Sequence, residues 1–178
     1  MKYNHQGIWS ELLPSLSWSR NWHNKEDNAT LCKYAGLLTP EETILEIGSA
    51  EGQSTITLLL ASESIIQVVE PFVVPNLINN IRSLNLDDRI VIIPTTSQKA
   101  RLALGNVGLI FIDGVHTYEM VKHDLERFSK TEPRYIILHD TYKPEVDKAV
   151  KEFLKQGTYT LEEQLESITV LFKVSLDE

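Results

Sequence analysis

Beginning at Thr43, short β-branched apolar runs alternate with longer stretches in which apolar and polar residues recur at helical spacing. That rhythm predicts parallel strands joined by helical crossovers. Strands are expected at 44–47, 65–69, 90–93, 107–112, 135–138, 159–163 and 169–174, and helices at 53–61, 75–83, 97–104, 118–129 and 144–155. Pro75 and Pro144 open two of these helices, where a missing N–H costs nothing. Only residues 164–168 separate the last two strands, too few for a crossover helix, so that pair is expected to form an antiparallel hairpin. The chain thus reads as one α/β domain over 43–178, a doubly wound seven-stranded sheet, preceded by an N-terminal helical arm over 1–42.

All three tryptophans, Trp9, Trp18 and Trp22, lie in that arm among Ser and Asn. They read either as rings packing short helices onto the core or as part of a lid or dimer contact. A length of 178 residues suits a single domain burying about 70% of its unfolded surface. Seventeen basic residues against twenty-five acidic ones leave a formal charge of -8. Such a surface repels phosphate backbones and anionic headgroups, so neither nucleic acid nor membrane is expected as a partner. The longest apolar stretches, such as 107–112, fall far short of the roughly 18 residues that span a bilayer. Cys32 is the single cysteine, and no N-terminal run has the pattern of a secretory signal, which makes the cytoplasm the expected compartment.

In open α/β sheets the ligand lies beyond the carboxyl ends of the strands, so the residues just after each strand matter most. After the first strand, Gly48 permits a tight turn and Gly52 a close approach before the next helix, although two glycines also suit a simple turn. Glu70 ends the second strand, where a carboxylate accepts from both hydroxyls of a ribose. The dinucleotide fingerprint G-x-G-x-x-G is missing, since Ala50 replaces its second glycine and Thr55 is neither Gly nor Ala. A nucleoside without a pyrophosphate fits better than NAD, and Glu46 is placed to pair with an amino group that NAD lacks.

The run from Glu46 to Thr55, the stretch Phe111-Ile-Asp113-Gly-Val-His116-Thr-Tyr118, and Leu138-His139-Asp140-Thr141 together resemble the small class I S-adenosylmethionine-dependent methyltransferases. Within that superfamily they are most similar to the branch with Asp-Gly-x-His-x-Tyr after the fourth strand, which includes O-methyltransferases of sugars and secondary metabolites. The resemblance covers about residues 43–174. It implies a Rossmann-like sheet of order 3-2-1-4-5-7-6 with the last strand antiparallel, and S-adenosylmethionine as cofactor. Carried over by position, Glu46, Gly48, Ser49 and Gly52 hold the methionine part, Glu70 the ribose, and Thr96 and Ser97 the neighbourhood of the adenine, with Asp113 bordering the cofactor. Ser97 also suits a helix cap, a role compatible with the first.

Asp113 and Asp140 end strands that are expected to be neighbours, and their carboxylates offer hard oxygen ligands of the kind magnesium selects. In metal-dependent relatives such acids hold a cation that lowers the pKa of the acceptor hydroxyl. Thr141 stands where catechol-type enzymes often carry Asn, which leaves the third ligand open, and Asp113 also suits an Asp-Gly turn. Methyl transfer needs alignment and, for a hydroxyl acceptor, removal of a proton. His139 and His116, with Asp113, are the candidate catalytic groups, while His5, His23 and His123 show no pattern. His139 and Asp140 share a site only if the strand has ended between them, because adjacent strand residues face opposite ways. The reading is O-methylation of a small hydroxylated metabolite or sugar, metal-assisted or not; the alternative is a non-catalytic nucleoside-binding module of the same fold. So short an arm leaves the site open or completed by a second subunit of a homo-oligomer.

Overall fold

The computed structural model describes residue 8, residues 12–16, 18–19, 23–102 and 105–174. The expectations for Trp9 and Trp22 lie outside the described residues. Seven strands form one sheet: β1 (Glu42–Ile47), β2 (Ile66–Val69), β3 (Ile90–Ile93), β4 (Asn106–Ile112), β5 (Tyr135–His139), β6 (Tyr159–Gln164) and β7 (Ile168–Lys173). Their order is β3-β2-β1-β4-β5-β7-β6, with β7 antiparallel to both β5 and β6, as the hairpin spacing requires. The helices are α1 (Lys25–Ala35), α2 (Gln53–Ala61), α3 (Pro75–Ser83), α4 (Tyr118–Phe128) and α5 (Pro144–Leu154).

The central strands are buried on both faces, and the pleat sends alternate residues to opposite layers. Ile44, Val68, Leu109, Phe111 and Ile137 meet Leu31 of α1, Ile56 and Leu59 of α2, and Leu77 of α3. Leu45, Ile47, Ile110, Ile112 and Ile136 meet Val121 and Leu125 of α4 and Val146 and Phe153 of α5. Each such fully buried aliphatic side chain contributes about 1.5–3 kcal/mol. Among the described residues no helix is long and apolar enough to cross a membrane.

The helix expected at 97–104 does not form. Residues 97–99 make a turn in which the Thr96 carbonyl accepts from the amides of Lys99 and Ala100, and residues 103–104 lie outside the described ones. The guanidinium of Arg127, on α4, donates to the carbonyls of Gln98 and Ala100, so a tertiary partner takes acceptors that a helix would use. Conversely, α1 has a start signal within the arm. Asn24 accepts from the Asp27 amide at 2.8 Å and the Asp27 carboxylate accepts from the Asn24 amide at 3.0 Å, a reciprocal capping box.

Register then aligns the functional edge. Ile47 pairs with Val69 and Ile112, and Ile112 with Leu138, so residues 48, 70, 113 and 139 follow level with one another at the carboxyl ends of β1, β2, β4 and β5.

Candidate active site

The loop after β1 is shaped by close approach. Gly48 has φ 85°, and a Cβ there would overlap the Asp113 carbonyl. Gly52, at φ 89°, caps α2, and its added Cβ would lie 2.5 Å from Leu77 Cδ1. These conformations belong to glycine for steric reasons. The amides of Ser49 and Ala50 donate to Glu70 Oε2 at 3.0 and 3.1 Å, and the Phe72 amide to Oε1 at 2.8 Å. Glu70 is therefore held by the backbone of the loop it was expected to serve beside. The Ser49 hydroxyl is buried with no hydrogen-bond partner among the described residues.

A cavity of about 750 Å³ opens over this edge, and its lining includes Gly48, Ser49, Glu70, Thr96, Ser97, Asp113, His116, His139 and Asp140. Two of the expected residues lie outside this lining. Gly52 does not line the cavity, and its role is to admit Leu77 against α2. Glu46 is also absent from the lining: fully buried, it accepts from Ser54 Oγ at 2.5 Å and Thr55 Oγ1 at 2.6 Å. Its carboxylate anchors the start of α2.

Burial pushes the Glu46 carboxyl up to about 7, against the opposing pull of the Ser54 and Thr55 hydroxyls. An acid whose folded pKa exceeds its unfolded value of 4.5 binds its proton more tightly when folded, so its contribution to stability falls as pH rises from about 4.5 to 7 and is level above that. Glu46→Gln is expected to remove this loss. The stability difference between variant and wild type should shift toward the variant by about 3 kcal/mol across that window. Urea denaturation at pH 5 and pH 8 measures it, and a difference independent of pH would refute the burial argument.

Asp113, after β4, is the hub of a histidine cluster. Its Oδ1 accepts from His116 Nε2 and His139 Nδ1, both at 3.2 Å, and its Oδ2 from His23 Nε2 at 3.1 Å. Burial would raise its pKa, but the hydrogen bonds from His116, His139 and His23 prevail and hold it far below the usual carboxylate range. The second nitrogen of His139, Nε2, lies 3.2 Å from Asp27 Oδ2. Burial alone would lower the His139 pKa, yet its bonds to Asp113 and Asp27 push it up to about 10. With both nitrogens donating, His139 is an imidazolium at neutral pH and has no lone pair for a proton.

Asp140 reaches the same cavity because the chain turns immediately after β5. Its φ of 57° is left-handed, which breaks the strand alternation between His139 and Asp140. Asp140 Oδ2 lies 3.2 Å from His116 Nε2 and also accepts from Lys143 Nζ. Asp113 and Asp140 thus converge upon His116, with a lysine on one carboxylate and three imidazoles about the other. Magnesium takes an oxygen shell, and these residues do not fit it. Thr141 is buried away from the cavity, its hydroxyl accepting from Thr169 at 3.0 Å, so it is a sheet contact.

Two groups with no local sequence signal complete the cluster. His23 and Asp27 come from the arm, about ninety residues before Asp113; His23 lines the cavity, and Asp27 sits behind His139. Burial raises the Asp27 pKa, and hydrogen bonds from His139, Ser167 and the Asn24 backbone outweigh it, leaving it lowered. The capping box at 24–27 was the available clue, since it fixes where the arm becomes helix and so which residues enter the sheet edge.

A seven-stranded sheet of this order, with a reversed β7 and a glycine loop hydrogen-bonded to an acid at the end of β2 beside a cavity, defines the Rossmann-like methyltransferase fold. The family profile described as "Methyltransferase domain" matches residues 45–141. The chain belongs to that family. A search of curated proteins found no match. Among solved structures, a Podospora anserina methyltransferase bound to S-adenosylhomocysteine is similar at 13% identity and TM-score 0.68, over 86% of this chain and 80% of that one. An Aquifex aeolicus tRNA (m1A58) methyltransferase is similar at 13% identity and TM-score 0.72, over 97% and 77%. A putative caffeoyl-CoA O-methyltransferase from Staphylococcus aureus is similar at 16% identity and TM-score 0.66, over 91% and 88%.

Proposed function

We propose that the protein transfers a methyl group from S-adenosylmethionine to a hydroxyl of a small metabolite or sugar. The observation that carries this reading is one cavity whose lining joins Gly48, Ser49 and Glu70 to Asp113 and His116. Its volume of about 750 Å³ falls within the usual range for small-ligand sites. The Ser49 hydroxyl, unpartnered among the described residues, supplies a group for a ligand to bond. Glu70 Oε1 accepts one amide and keeps capacity for a ribose hydroxyl.

In this reading the acceptor oxygen attacks the methyl carbon in line, the carbon–sulfur bond breaks, and its electron pair leaves on sulfur as a neutral thioether. The hydroxyl proton goes to His116. Its Nε2 faces Asp113 and Asp140, while Nδ1 makes no hydrogen bond among the described residues and remains able to accept. Asp113 holds the ring in place. The charge of -8 favours a small acceptor over the RNA substrates named for some proteins of similar fold.

Two assays test the reading. S-adenosylhomocysteine at about 1 mM, with a Kd near 10 μM, should add about 2.7 kcal/mol of stability and raise Tm by about 5–10 °C, whereas NAD should not. Labelled S-adenosylmethionine should then label members of a panel of sugars and hydroxylated metabolites and leave unmodified tRNA unlabelled. Labelled tRNA would overturn the acceptor class, and no thermal shift would overturn the cofactor.

A further inference from the structure

Among the described residues, every buried acid but one has donors for both of its carboxylate oxygens. Glu46 has the hydroxyls of Ser54 and Thr55, and Glu70 the amides of Ser49, Ala50 and Phe72. Asp27 has the His139 ring, the Asn24 amide and the Ser167 hydroxyl, and Glu51 has Ser19 and the Asn76 amide group. The exception is Asp124 on α4, which is 1% exposed. Its Oδ1 lies 3.0 Å from Nδ1 of the adjacent His123, while Oδ2 has no hydrogen bond or ion pair among the described residues. Burying a carboxylate with one oxygen unbonded is costly. Asp124 lines the cavity, so a ligand is able to supply the missing donor.

The position of Asp124 on its helix says which part of a ligand that is. The Met120 sulfur accepts from Gln98 Nε2 at 2.8 Å, and the Arg127 guanidinium donates to the Gln98 and Ala100 carbonyls. Residues 120, 124 and 127 share one helical face, so Asp124 faces the loop after β3 between two contacts to it. Residues 94–99 of that loop contain no acid of their own. Given S-adenosylmethionine as the cofactor, on which this proposal rests, a ribose at Glu70 sends its sulfur-bearing chain toward Asp113 and His116 at the end of β4. The base then leaves the other side of the ribose, toward β3, where Thr96, Ser97 and Gln98 line the cavity together with Asp124.

We propose that Asp124 is a specificity-determining residue of the cofactor site, its Oδ2 accepting from the exocyclic amino group of the adenine. An ionised carboxylate only accepts, and that amino group only donates, so the pair is matched. A purine with oxygen at the same carbon sets acceptor against acceptor and leaves the buried carboxylate unbonded, which is the strongest basis a site has for rejecting an analogue. The helix after β4 thereby supplies the reader of the base that the loop after β3 lacks.

The test is calorimetry on the full chain with S-adenosylhomocysteine and its deaminated analogue, S-inosylhomocysteine. The wild type should bind the adenine compound about tenfold or more tightly than the analogue. Asp124→Ala should bring the two affinities within about threefold of each other, chiefly by weakening the adenine compound. Asp124→Asn, of the same shape, is able to turn an amide N–H₂ toward the base and should shrink or reverse the preference. Circular dichroism confirms that each variant is folded, and a crystal structure of the wild type with S-adenosylhomocysteine is a readout that needs no variant: the amino nitrogen should lie within about 3.2 Å of Asp124 Oδ2. Equal affinities in the wild type, a preference undiminished in either folded variant, or an amino group placed elsewhere would overturn the role of Asp124 and leave the cofactor reading standing. A wild type that binds neither compound overturns the cofactor reading and this proposal with it.

Discussion

Glu70→Ala is expected to weaken S-adenosylhomocysteine binding by about 100-fold or more while the chain stays folded. The carboxylate has two duties. It accepts three backbone amides, from Ser49, Ala50 and Phe72, which fix the loop that lines the cavity, and it is the acid available to a ribose. Hydrogen bonds to a charged group are worth about 1.5–3 kcal/mol each, so losing the equivalent of one to two corresponds to a factor of about 10–20,000 in Kd. The fold should survive, because the freed amides border an open cavity where water replaces the carboxylate. Glu70→Gln should be almost as damaging, since an amide N–H₂ turned toward Ser49 and Ala50 sets donor against donor. Glu46→Gln supplies the contrast: Glu46 lies outside the lining, and its substitution should change Kd by no more than about threefold. Calorimetry on the three variants decides the matter. A Glu70→Ala that binds as tightly as wild type, or a Glu46→Gln that does not bind, would reverse the roles given to these two acids.

That contrast also shows what a sequence carries. Strand runs, the β6–β7 hairpin and the edge residues Glu70, Asp113 and Asp140 were legible because each depends on local pattern: β-branched runs, a spacer too short for a helix, and polar residues just past apolar strands. Glu46 had the same kind of signal, yet one strand residue earlier the pleat and the overlying α2 turn it into the interior, toward Ser54 and Thr55. The helix expected at 97–104 had adequate propensity, but Arg127 captures its carbonyls, a contact that no local window contains. His23 was illegible for the same reason, since its chemistry arises only when the arm is laid against the end of β4. The question of whether His139 and Asp140 share a site turned on a single dihedral, the left-handed φ of Asp140.

The pair His116 and His139 separates catalysis from scaffolding, and the largest rate effect is expected at the first. His116→Ala should lower kcat by about 10²–10⁴, the usual contribution of a positioned base, with little change in Tm, because its side chain is partly exposed and leaves Asp113 still holding two other imidazoles. His139→Ala should act through stability instead. It strips a buried cation from between Asp113 and Asp27, two carboxylates with little access to water, and breaking a buried pair in this way costs about 3–5 kcal/mol. For a chain of this length that lowers Tm by roughly 6–20 °C. The sign with pH follows from the raised pKa: the stabilisation from His139 is complete below its unfolded value of 6.5 and is lost as pH climbs toward about 10. The Tm gap between wild type and His139→Ala should therefore be wide at pH 6 and narrow by pH 10. Steady-state kinetics and thermal unfolding of both variants distinguish the two roles. A His116→Ala that loses stability but keeps kcat, or a His139→Ala that keeps its Tm while losing turnover, would assign the proton to His139 and make His116 the support.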